Sequence, residues 1–303
     1  MKLLRLFTLL ALGALCLSCS GNSENGTSEK GKNSLFIKGA GKALYKCETP
    51  FEGKQMNIYY YIPEGDIETM PVQFVMHGVN RNADEYRDNW IEYAKEHKFV
   101  VLVPEFTKES FPEIDYQQGA IMTEDGKVNE KEKVTYNLIG KIFEYFVEKS
   151  DSKATKCNIY GHSAGAQFVH RFMLYCETPY IDKAVSANAG WYTFPTEEVE
   201  FPYGAGETMK KMDLDVSKYY SKNMTVLLGD ADTLRTSSLR QTKEADAQGL
   251  NRWERGNTFY KFCKEDAQNR SMDFNWKLQY VEGAKHSDVM MSPAAVEYLY
   301  GKN

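Results

Sequence analysis

A chain of 303 residues that is 42% hydrophobic and 26% charged has the makeup of a globular protein, with room for one large α/β domain or two small ones. A net charge of −5 without any long basic run argues against nucleic acid as a partner. The histidines are scattered and no His-Glu-x-x-His run occurs, so neither a metal nor another cofactor is expected.

Lys2 and Arg5 precede an apolar stretch over 6–17, too short for a typical bilayer span and the right length for a signal-peptide core. It runs into Cys16-Leu17-Ser18-Cys19, which resembles the lipobox of bacterial lipoproteins, with Cys16 and Leu17 departing from its commonest residues. The resemblance implies a signal peptide over 1–18, lipid attachment at Cys19, export to the bacterial cell envelope and a lipid anchor in a membrane. A simple secretory signal cut near Ser18 or Ser20 is the alternative, and it exports the chain equally. No apolar side chain appears over 20–34, so 19–34 reads as a flexible tether with an end-to-end distance of roughly 20 Å.

The domain proper, 35–303, opens with strand-like segments over 35–37, 43–47 and 55–62. A compact apolar run over 71–77 ends at His77-Gly78. The spacing of Tyr86, Trp90, Ile91 and Ala94 predicts a helix over 83–97. The run 99–104 is continuously apolar, as in a strand buried on both faces. Val134, Leu138, Ile142 and Phe146 align on a helix over about 131–148. A strand over 156–160 and a helix over 164–175 come next, followed by strands over 181–188, 224–228 and 276–281 and a closing helix over 292–300. This alternation from residue 71 onward defines an α/β fold class: a mostly parallel central sheet with helices on both faces. The segment 191–223 lacks a clear element and is dense in Phe, Tyr and Pro, so it reads as an aromatic, lid-like insertion. Cys47, Cys157, Cys176 and Cys263 match no disulfide framework or zinc spacing.

Between the strand and helix around residue 160 lies Gly161-His162-Ser163-Ala164-Gly165, a G-x-S-x-G nucleophile elbow. The turn is so tight that the positions two before and two after the serine must lack bulky side chains, and glycine meets that at both. A serine hydroxyl needs a base to take its proton and a carboxylate to orient that base. With His77-Gly78-Val79-Asn80-Arg81-Asn82-Ala83 and Asn188-Ala189-Gly190-Trp191-Tyr192, the pentapeptide makes the chain resemble the α/β-hydrolase superfamily over roughly 40–300. More narrowly it is similar to exported serine esterases grouped with feruloyl esterases and polyhydroxybutyrate depolymerases.

The resemblance implies a triad in the chain order Ser, Asp or Glu, His. Ser163 is then the nucleophile and His286, after the last strand, the base; His170 reads as a packed or surface residue of the helix that follows Ser163. Asp230 and Asp232 both follow the strand over 224–228, and the family pattern favours Asp232, leaving Asp230 to cap or stiffen the turn. The oxyanion donors would be the backbone amides of Ala164 and Val79, with Asn80 in reserve and His77 holding the loop. Trp191 and Tyr192 would either line an aromatic substrate wall or pack a loop onto the domain. Arg252 would either clamp a substrate carboxylate or make a salt bridge at a helix start.

The expected function is an exported serine hydrolase that cleaves carboxylic esters through an acyl-enzyme, on an acylated polysaccharide or a related small-molecule ester. A serine peptidase on the same fold is one alternative. A non-catalytic binding lipoprotein is the other.

Overall fold

Alternation of side chains along short apolar strands sets the architecture. In a computed structural model, which describes residues 34–301, an eight-stranded sheet runs through the molecule. The signal peptide over 1–18, Cys19 and all of the tether except Ser34 lie outside the described residues. The strands are β1 (Gly39–Lys46), β2 (Gln55–Ile62), β3 (Val72–Met76), β4 (Val100–Pro104), β5 (Cys157–His162), β6 (Ile181–Ala187), β7 (Met224–Gly229) and β8 (Lys277–Val281). Their spatial order is β1-β2-β4-β3-β5-β6-β7-β8. β1 with β2 and β2 with β4 are antiparallel; every other neighbouring pair is parallel.

The helices are α1 (Ala83–His97), α2 (Glu113–Tyr116), α3 (Leu138–Lys149), α4 (Ala164–Tyr175), α5 (Thr208–Lys211), α6 (Val216–Ser221), α7 (Lys243–Gln248), α8 (Arg252–Asn269) and α9 (Asp288–Tyr300). The period-two alternation of a strand divides the core in two. Phe74, Leu102, Ile159, Val226 and Leu228 point to one face, where Ile142 of α3, Phe168 and Phe172 of α4 and Phe259 of α8 cover them. Val75, Val101, Tyr160 and Leu227 point to the other, against Trp90 of α1 and Met291 and Leu299 of α9. Both faces are therefore dry, which is why the central strands read as unbroken apolar runs. α4 is buried along its whole length.

Four expectations need correction. Residues 35–37 are irregular, with Leu35 and Ile37 exposed and only Phe36 reaching the core. The helix expected over 131–148 begins at Leu138, after two 3-10 turns over Lys131–Lys133 and Thr135–Asn137. β-branched Val134 between them is extended, the Thr135 amide donates to Gly119 O at 2.8 Å, and the Tyr136 hydroxyl donates to Gln117 O at 2.7 Å; these tertiary bonds displace the helical ones. The closing helix starts at Asp288, four residues early, with Pro293 inside it. Segment 191–223, read as lacking a clear element, carries the short helices α5 and α6 and packs onto the domain. Tyr219 donates to His170 O at 3.2 Å, Tyr175 and Thr208 share a hydrogen bond of 2.7 Å, and Phe194 packs edge-on against Phe262. Its aromatic rings are the reason: they bury more area against α4 and α8 than a solvated flap would.

At the start of the described chain, the Leu35 amide and the Ser34 hydroxyl both donate to Lys149 O, each at 3.1 Å. Lys149 ends α3, and β1 begins opposite the end of β2, so this anchoring point lies at the amino ends of the parallel strands.

Candidate active site

The carboxyl ends of β3, β5, β7 and β8 each deliver one part of the site. β5 ends at His162, and Ser163 follows with φ 58° and ψ −114°, a left-handed conformation uncommon for a residue with a side chain. Two close backbone approaches hold it. A Cβ on Gly161 would lie 2.2 Å from Gly165 O, and one on Gly165 would lie 2.0 Å from Met76 O at the end of β3. The Ser163 amide donates to Ala187 O at 3.0 Å, locking the turn to β6.

His286 lies in the loop after β8. Its Nε2 accepts from the Ser163 hydroxyl at 2.9 Å, and its Nδ1–H donates to Asp232 Oδ2 at 2.8 Å. A carboxylate at Nδ1 fixes the proton there and leaves Nε2 as the acceptor. Asp232 is 2% exposed, in the loop after β7, and its second oxygen lies 3.5 Å from Arg252 Nη1. Asp230, the alternative acid, is engaged elsewhere: its Oδ1 accepts the Gly283 amide at 2.7 Å and ties the β7 and β8 loops together.

The loop after β3 is shaped by His77. Fully buried, it donates from Nδ1 to Gly78 O at 3.1 Å and accepts the Phe106 amide on Nε2 at 3.1 Å. Burial, reinforced by the charge of Arg81, pushes its pKa down to about 3, so it stays neutral. His170 is likewise buried, donating to Ala166 O at 2.9 Å and accepting the Thr193 amide at 3.1 Å. Neither histidine is available as a base. The His162 ring packs at a tilt against His286, 4.7 Å between centroids, and its Nδ1 lies 3.2 Å from the Tyr86 hydroxyl.

A cavity of about 390 Å³ opens at Ser163, and Val79, Ala164, Gln167 and Arg252 lie in its wall. A second, of about 240 Å³, continues from it past Gly190 and Trp191; Val79, Gln117, Gln167, Gly190 and Ser238 line both. Ser163, Asp232 and His286 are thus brought together, with Val79 and Ala164 beside them. Trp191 lines the second cavity but is 2% exposed, with the guanidinium groups of Arg171 at 4.0 Å and Arg240 at 4.8 Å from its ring. Tyr192 does not reach either cavity. Its ring stacks on Phe259 at 4.4 Å, and its backbone exchanges two 2.8 Å hydrogen bonds with the Gln248 side chain, so it packs the core. Arg252 opens α8 as expected, and it both pairs with Asp232 and lines the first cavity. Cys19 lies outside the described residues.

Gln167, Ser238 and Asp288 also line the cavity at Ser163 without having been singled out from sequence. Gln167 was accessible to that reasoning, since it follows Ser163 by four residues and shares its face of the helix. Ser238 sits in a loop that carries no periodic signal. Among the described residues no cluster of metal-ligating side chains occurs, and no helix is long and apolar enough to cross a membrane.

Comparison with solved structures identifies the class this geometry defines. A poly(aspartic acid) hydrolase from Sphingomonas sp. KT-1 is 38% identical, covering 88% of this chain and 100% of its own at a TM-score of 0.81. A poly(3-hydroxybutyrate) depolymerase from Bordetella parapertussis is 30% identical over 87% of this chain and 90% of its own, with a TM-score of 0.82. An S-formylglutathione hydrolase from Agrobacterium tumefaciens shares the fold at 14% identity, covering 88% of this chain and 95% of its own at a TM-score of 0.54. No protein-family profile and no curated protein matches the chain. The chain belongs to the α/β-hydrolase superfamily, and it is a serine hydrolase of the carboxylic-ester class.

Proposed function

We propose that Ser163, His286 and Asp232 form a catalytic triad that cleaves carboxylic esters through an acyl-enzyme. The observation that carries this reading is the continuous chain of hydrogen bonds from the Ser163 hydroxyl through His286 to Asp232, at 2.9 and 2.8 Å. Ser163 Oγ attacks the ester carbonyl carbon as its proton passes to His286 Nε2. The carbonyl oxygen becomes an oxyanion, and the backbone amides of Val79 and Ala164 donate to it. When the intermediate collapses, the C–O bond to the alcohol breaks and His286 returns the proton to the leaving oxygen. Water then repeats the sequence on the acyl-enzyme, releasing the acid and restoring the serine. Asp232 holds the imidazole in the productive tautomer throughout and stabilises its protonated form.

The protein is exported and anchored at a membrane through lipid on Cys19. The charged start, short apolar core and cysteine of the first 19 residues support this part of the reading. Its substrate is an ester outside the cytoplasm, of the acylated-polysaccharide type or a related polymer. Two relatives named for poly(aspartic acid) and poly(3-hydroxybutyrate) are in keeping with polymer scale. The test is intact mass after fluorophosphonate treatment, with Ser163→Ala alongside. One adduct that the variant lacks is expected. A well-folded protein that takes no adduct would instead favour a binding protein on a hydrolase scaffold.

A further inference from the structure

The wall of the cavity at Ser163 contains buried polar atoms without partners. Gln167 is 5% exposed and lines both cavities, yet its Oε1 accepts no hydrogen bond. Arg252 is 3% exposed, and its Nε–H has no acceptor. The other contacts of that guanidinium are long: 3.5 Å from Nη1 to Asp232 Oδ1, and 3.4 Å from Nη2 to Ser238 Oγ. Asp232 cannot close on Arg252 without leaving His286, which its other oxygen holds at 2.8 Å.

Buried polar atoms are costly unless paired, and a guanidinium with five donors is the costliest of these. The charge on the wall narrows what can supply the missing partners. Asp288 already accepts from Tyr160 at 2.8 Å and Asn89 at 3.1 Å, and Glu85 accepts from Asn82. Arg252 is the charged group of this wall with an unpartnered atom, among the described residues. Its planar donor fork matches a carboxylate. Gln167 Oε1 calls for an N–H or O–H on the same occupant. The second cavity, reached past Gln167, continues the polar lining with Ser237, Ser238 and Arg240. A methylene chain would leave Gln167 Oε1 and Arg252 Nε without partners.

We propose that this cleft is a subsite for an ester with an arm that carries a carboxylate, bound by Arg252, beside an N–H or O–H donor for Gln167, and that it disfavours simple alkyl esters. The proposal rests on the hydrolase reading of Ser163 and names the substrate class of that same site.

The test uses matched pairs of activated esters in which a terminal carboxylate replaces a terminal methyl, on the acyl arm in one pair and on the alcohol arm in the other. In one pair the carboxylate ester should lead by roughly 10–100-fold in kcat/KM, the discrimination one charge-assisted hydrogen-bonded contact supplies. Because Arg252 also touches Asp232, the readout is the ratio within a pair, from which any general loss of activity cancels. Arg252→Gln should bring the ratio to near unity, and Arg252→Lys should retain part of it. Gln167→Leu should narrow the preference for a carboxylate ester with an adjacent amide by about tenfold; it covers the case in which the arginine variants fail to fold. A protein labelled at Ser163 by fluorophosphonate that shows no carboxylate preference in either pair, or hydrolyses none of the esters, overturns the subsite. Absence of labelling would sink the hydrolase reading itself.

Discussion

Replacing Gly165 by alanine would put a methyl group against the backbone at the end of β3. The added carbon would sit 2.0 Å from Met76 O, 2.6 Å from Met76 C and 2.9 Å from His77 O. Restoring ordinary contact near 3.5 Å requires the two backbones to part by about 1.5 Å. The obstacle is main chain and cannot rotate away, so the cost falls at or above the upper end of overpacking, about 3 kcal/mol. The same movement carries Gly78 and Val79 away from Ala164, pulling apart the two amides assigned to the oxyanion. Loss of one such donor costs about 10²–10³ in kcat. Urea unfolding and kcat on an activated ester, scaled to the fluorophosphonate-reactive fraction, measure both effects. Gly53→Ala is the control: Gly53 has φ +83° but nothing within 4 Å of the added carbon. It should cost only about 1 kcal/mol of backbone strain and leave kcat unchanged. The steric account of the elbow fails if Gly165→Ala has wild-type stability and turnover.

Asp232→Asn should lower kcat by roughly 10⁴-fold with the fold intact, because the amide favours the wrong imidazole tautomer. Asp230→Asn should change kcat by no more than a few fold, since its task is the 2.7 Å bond to the Gly283 amide; the reverse ranking would exchange the two roles. Acid should destabilise the fold through its buried histidines. His77, pushed down to about 3, and His162 and His170, both driven well below the ordinary value first by burial, stay neutral when folded. The unfolded chain binds those protons below about pH 6.5, so stability is lost as pH falls from there, by up to about 1.4 kcal/mol per pH unit for each. Asp288, raised to about 6 by burial, takes its proton in the folded state first and offsets one of the three between pH 6 and about 4. Urea midpoints between pH 7.5 and 5 should therefore decline; a flat profile would contradict the assignment.

The parts most legible in the sequence were those where local chemistry and tertiary packing agree. The bounds of α1 read correctly from the spacing of Tyr86, Trp90, Ile91 and Ala94, and the structure adds acidic residues in its first turn and basic ones in its last. The elbow was legible because its geometry leaves room only for glycine at 161 and 165. α8 was not: its buried positions, Arg252, Arg255, Gly256, Phe259, Cys263 and Ala267, do recur at helical spacing, but two of them are arginines and one a glycine, so no apolar stripe marks the face. Its beginning was nonetheless encoded: the Asn251 side chain accepts the Glu254 amide at 2.9 Å, and Glu254 accepts the Leu250 amide at 2.6 Å. The fate of Tyr192 could not be read from its neighbours in the chain. What decides it is Phe259, 67 residues away.

Ser34 and Leu35 are fastened to Lys149 at the amino ends of the parallel strands, whereas Ser163, Asp232 and His286 sit past the carboxyl ends. The chain joins the domain at one pole and does its chemistry at the other. A bead or biosensor surface coupled through the Ser34 side will therefore present the cleft outward, and the anchor proposed at Cys19 would leave the cleft free to meet its substrate.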